Sequence, residues 1–68
     1  MSDAIKEEEV TAESLRAIRK RLGIRQNQVA SWIGGNASTI SKIENGGRHL
    51  TPAEKTILNW HLLGVKPF

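Results

Sequence analysis

Ala37, Ser38, Ser41 and Lys42 fall at helical spacing around the apolar pair Ile40 and Ile43. On a helix this pattern turns the two isoleucines to one side and the small and polar residues, with Asn36 ahead of them, to the other. The outer side is short enough for a backbone to approach another surface closely. It carries hydroxyls, an amide and one cation, the groups needed to read base edges in a DNA groove.

Two short helices hinged at Gly34 and Gly35 must position that face, in a stretch running from Gln26 to Gly46. Val29, Ala30 and Ile33 give the first of them an inner face from about Gln26 to Ile33, and Ala30 is small enough to let the pair cross closely. Glycine at position 34 suits the left-handed end of that helix. Asn36 caps the second helix, expected over about 37–44, and Asn45-Gly46-Gly47 ends it.

An earlier helix starts at Thr11 or Ser14, buries Leu15, Ile18 and Leu22, and stops at Gly23; Ile24 follows as a buried connector. Arg16, Lys20 and Arg21 belong to its solvated side. Arg19 lies beside Ile18 and Leu22, and Glu44 is the only acid between Ser14 and Ala53. Arg19 and Glu44 are therefore expected to form a partly buried ion pair. Thr51-Pro52-Ala53-Glu54 has the cap, the first-position proline and the reaching glutamate of a helix start, and the helix runs to Leu63 before Gly64. Its Ile57, Leu58, Trp60, Leu62 and Leu63 exceed what one face of a small domain absorbs. Trp60 is expected in the core, and Leu58 and Leu62 on a dimer surface.

Sixty-eight residues allow one domain, near the lower limit for a core that must stand alone. With no cysteine, neither a disulfide framework nor a thiolate metal site can support it, and two histidines without clustered acids make no metal site. No cofactor is implied. No apolar run approaches a membrane span of roughly 20 residues, and the acidic start lacks the pattern of a signal peptide. A cytoplasmic protein is expected.

The net charge of +3 divides unevenly. Asp3, Glu7, Glu8, Glu9 and Glu13 against Lys6 make residues 1–13 net −4, whereas nine lysines and arginines from Arg16 onward face only Glu44 and Glu54, net +7. Residues 1–10 read as a flexible acidic tail and 11–68 as the folded domain. A basic domain of this kind suits a polyanionic partner.

From Gln26 through Val29-Ala30 and Ile33-Gly34 to Ser38-Thr39-Ile40-Ser41-Lys42-Ile43-Glu44-Asn45-Gly46, the chain resembles the helix-turn-helix family of the phage repressor and Cro proteins. The resemblance covers about residues 14–65. It implies an all-α, compact four-helix lambda-repressor-like domain, with a short fifth turn as an option. It also implies a helix laid across the DNA backbone, the next one in the major groove, and a homodimer on a palindromic double-stranded operator. Carried over by position, Ala37, Ser38, Ser41 and Lys42 face bases, while Gln26, Asn36 and Asn45 contact the DNA backbone. Arg25 and Arg48 add phosphate-seeking cations. Arg19 and Glu44 match an ion pair of some members.

The chain departs from the pattern in two places. Gly35 stands where the family usually has an apolar plug, a space that Trp32 is expected to fill, and Arg25 replaces the usual serine or threonine cap. A bacterial or phage-encoded repressor is the expected function. The alternative is a helix-turn-helix-derived module, such as an antitoxin or antirepressor, that binds protein through the last helix. An enzyme is not expected, because no carboxylate pair, nucleophile-histidine arrangement or phosphate loop is present.

Overall fold

The computed structural model describes residues 9–66, which form an all-α unit with no strand. Four helices follow in order: α1 (Leu15–Arg21), α2 (Gln26–Ile33), α3 (Ala37–Glu44) and α4 (Pro52–Leu63). None of them is long and apolar enough to cross a membrane.

The first helical turn is prepared before α1. Thr11 N–H donates to Ser14 Oγ at 2.9 Å, Ser14 N–H donates to Thr11 Oγ1 at 3.1 Å, and Leu15 N–H reaches Thr11 O at 2.9 Å. This reciprocal exchange satisfies donors that a helix start otherwise leaves exposed. Val10 and Leu15 flank it at the positions of a hydrophobic staple, and both are fully buried.

The expected tail at residues 1–10 therefore reaches too far at its inner end. Val10 belongs to the core, and its N–H donates to Asn59 Oδ1 of α4 at 2.7 Å. The rest of that stretch, apart from Glu9, lies outside the described residues.

Val10, Leu15, Ile18, Val29, Ala30, Ile40, Ile43, Leu58 and Leu62 make one core, to which every helix contributes. The α2 helix packs against both α3 and α4 and so forms the centre of the arrangement. Gly34 ends α2 with φ 75°, in the left-handed region where a side chain would be strained, and Gly35 N–H returns to Ala30 O at 3.0 Å. The Thr51-Pro52-Ala53-Glu54 start is present as expected: Thr51 Oγ1 accepts from Glu54 N–H, and Glu54 Oε1 accepts from Thr51 N–H.

Packing reverses the expected placement of four residues. Leu58 and Leu62, expected at a dimer surface, are core residues at 0% and 6% exposure, whereas Trp60 is 41% exposed. One α4 face meets α2, and the register of the helix places Leu58 and Leu62 on that face with Trp60 turned away. Leu22, at the C-terminal cap of α1, is 45% exposed instead of buried; the position one turn earlier on that side is filled by Arg19.

Trp32 is half-buried and stacks on the His61 ring, with centroids 4.6 Å apart and planes 10° from parallel. The side chain nearest to Gly35 is a different one. A Cβ on Gly35 would lie 3.1 Å from Thr39 Cβ and Oγ1, so the Thr39 side chain packs directly against that position.

Candidate nucleic-acid interface

The face of α3 away from Ile40 and Ile43 presents Ser38 and Lys42 to solvent, with Ala37 and Ser41 half-buried beside them. Asn36 sets where this helix begins. Its Oδ1 accepts from Thr39 N–H at 3.0 Å, while Thr39 Oγ1 accepts from Asn36 N–H at 3.4 Å. The amide oxygen of Asn36 is thus committed to the cap, leaving its nitrogen for an outside acceptor. At the other end Asn45 Nδ2 donates to Ser41 Oγ at 3.4 Å, so these two proposed contact residues already touch one another.

Arg25 occupies the cap position of α2 without a side-chain capping bond and is exposed. Among the described residues neither Arg25 nor Lys42 has an ion-pair partner. Both cations remain available to an anionic ligand.

Arg48 is differently placed. Its Nη1 and Nη2 donate to Glu54 Oε1 and Oε2 at 3.0 and 2.9 Å, and Nη1 also reaches His49 O. This hydrogen bonding raises the Arg48 pKa, and the Arg48 bond is the largest of the effects that hold Glu54 below the usual carboxylate value. The expected phosphate contact at Arg48 therefore starts from an occupied guanidinium. Its partner Glu54 is also the capping glutamate of α4, a tertiary link that the local pattern gave no sign of.

Behind the interface, Arg19 and Glu44 meet in a two-point pair: Nε to Oε2 at 2.8 Å and Nη2 to Oε1 at 3.2 Å. The two side chains are only 11% and 4% exposed. Arg19 Nη1 also donates to Ile24 O at 3.1 Å, which ties the α1–α2 connector to the pair. Gln26, the first residue of α2, donates from Nε2 to Glu44 Oε1 at 3.1 Å. Burial pushes the Glu44 carboxyl up. The hydrogen bonds from Arg19 and Gln26 and the positive charges of Arg19 and Arg16 outweigh that effect and hold it below its ordinary value. Every buried side-chain polar atom among the described residues has a partner.

The Gln26 amide expected on the DNA backbone is thus anchored inward by one N–H. The signal available was weak: an amide at the start of α2 and an acid at the end of α3, whose meeting depends on how the Gly34-Gly35 turn packs α3 against α2.

No curated protein and no solved structure matches the chain significantly. A family model described as a helix-turn-helix domain matches residues 12–59, from the turn that begins α1 to near the end of α4. With α2, the Gly34-Gly35 turn and α3 inside that match, and with more than half of its length covered, the chain belongs to the helix-turn-helix domain family.

Proposed function

We propose that the chain is a sequence-specific regulator of transcription that binds double-stranded DNA, a repressor of the phage repressor and Cro kind working in the cytoplasm of a bacterial cell. The observation that carries this reading is the outer face of α3. Ser38 and Lys42 are exposed there beside Ala37 and Ser41, with no bulky side chain to hold the helix away from a groove. Lysine donates to guanine O6 and N7, a serine hydroxyl donates or accepts, and the Ala37 methyl suits a thymine methyl. Arg25, with Asn36 and Asn45 at the two ends of α3, supplies backbone contacts that fix register without reading sequence.

In this reading the operator is palindromic and bound by a homodimer, with half-sites about 34 Å apart. Catalysis forms no part of the role. Selection of bound duplexes from random sequence, followed by a footprint, tests the proposal. An enriched, two-fold symmetric motif is expected, and the absence of any motif at low salt would overturn it.

A protein partner on α4 is the second reading, favoured by the 41% exposure of Trp60. Trp60 lies beside His61, with ring centroids 4.9 Å apart. Aromatic side chains of this kind are enriched in protein interfaces.

A further inference from the structure

Gln26 and Glu44 lie at the ends of α2 and α3 farthest from the Gly34-Gly35 turn, yet their side chains meet at 3.1 Å. The two helices are therefore linked by backbone at one end and by this contact at the other. A carboxylate accepts hydrogen bonds and cannot donate them, so the Gln26 amide must turn its nitrogen toward Glu44. One N–H is used there, and the second is held in a fixed direction from the start of α2.

An anionic carboxylate close to a phosphate would ordinarily repel it. Here both Glu44 oxygens receive Arg19 at 2.8 and 3.2 Å, so its charge is cancelled within the pair. The pair is buried, leaving Gln26 as its outermost member.

We propose that Glu44 is a positioning residue for DNA binding: it aims the second N–H of Gln26 at a phosphate of the bound duplex, while Arg19 removes the charge that would oppose the contact. This rests on the DNA-binding reading above. Glu44 touches no DNA itself and acts only through Gln26. The role differs from simply holding helices together, because it predicts that the contribution of Gln26 to binding depends on an acceptor at position 44.

A double-mutant cycle on the full chain, read by affinity for a random duplex at fixed salt, tests it. Gln26→Ala in the wild-type background is expected to lower affinity about tenfold, the worth of one hydrogen bond to a charged group. In an Arg19→Met/Glu44→Met background, where an apolar pair replaces the ion pair without stranding a charge, Gln26→Ala is expected to change affinity less than twofold. Arg19→Met/Glu44→Gln returns an uncharged acceptor to position 44, and most of the Gln26 effect should return with it.

Circular dichroism melts of each variant restrict the comparison to folded protein. If Arg19→Met/Glu44→Met does not fold, Glu44→Gln and Glu44→Asp alone, compared with and without Gln26→Ala, supply the cycle; the shorter aspartate should weaken the Gln26 effect more than glutamine does. An equal Gln26→Ala loss in every folded background, or no loss in the wild type, overturns the proposal. Failure of the wild-type chain to bind any duplex would instead overturn the DNA-binding reading, and this inference with it.

Discussion

Arg48 and Glu54 are joined by two parallel hydrogen bonds, at 3.0 and 2.9 Å, that link the loop after α3 to the first turn of α4. The cation therefore stands near the proposed DNA surface with its charge already matched. Glu54→Gln keeps a side chain able to serve the Thr51 cap but removes the charge and one of the two acceptors that hold Arg48. The expected outcome is tighter DNA binding and a salt dependence steeper by about 0.9 in log affinity against log salt, one additional phosphate neutralised. Fluorescence anisotropy over a salt series measures both. An unchanged slope would show that Arg48 stays clear of phosphate even when freed.

Lys42→Ala is expected to lower affinity for a selected operator by about 1–3 kcal/mol, the worth of a good base contact, and to weaken random DNA much less. Arg25→Ala should weaken both DNAs alike and reduce the salt slope by about 0.9. Competition binding with the two duplexes checks this. Equal losses for Lys42→Ala on both would remove Lys42 from the base-reading set.

The Val10–Asn59 bond makes the segment before α1 part of the fold. Asn59→Ala leaves the Val10 N–H without its acceptor, and Val10→Ala removes two buried methyl groups. Losses of about 1–3 kcal/mol for the first and about 2 kcal/mol for the second are expected in urea unfolding. If residue 10 belonged to a solvated tail, Val10→Ala would leave the midpoint where it is.

Glu44→Ala is expected to cost about 3–5 kcal/mol, because Arg19 is then buried without its counter-charge, whereas Arg19→Met/Glu44→Met should come close to neutral. Both Glu44 and Glu54 titrate below the ordinary value of 4.5 when folded. The unfolded chain consequently binds more protons in the window just below that value, and stability rises with pH there. Their contribution is complete above pH 4.5 and is lost as pH falls through the folded values. Urea midpoints measured from pH 6 down to about pH 2 should show this loss, and Arg19→Met/Glu44→Met should show a shallower one.

Local chemistry was readable in the sequence wherever neighbours in the chain supply the partner. The Thr51-Pro52-Ala53-Glu54 start, the Asn36 cap and the Gly34 stop all follow from residues within a turn of one another. The Arg19–Glu44 pair was legible as well, because Glu44 is the only acid in that stretch of chain. Which side of α4 faces inward was not legible. Leu58, Leu62 and Trp60 are all apolar, and only the position of α2 decides among them. Val10 was hidden by the acids before it, although its place ahead of Thr11 and Ser14 fits a hydrophobic staple. The pairing of Arg48 with Glu54 and the Gln26–Glu44 contact depend on side chains meeting across turns, which spacing alone does not specify.

Thr39 fills the space beside Gly35 while its hydroxyl accepts from Asn36 N–H. Positions 35 and 39 are therefore coupled. A side chain at 35 requires Thr39 to give way by a few tenths of an ångström against its bond from Asn36 N–H, while alanine at 39 opens a gap and surrenders that bond. An apolar plug at 35 is therefore expected to be accommodated better when position 39 changes with it than when Thr39 is kept.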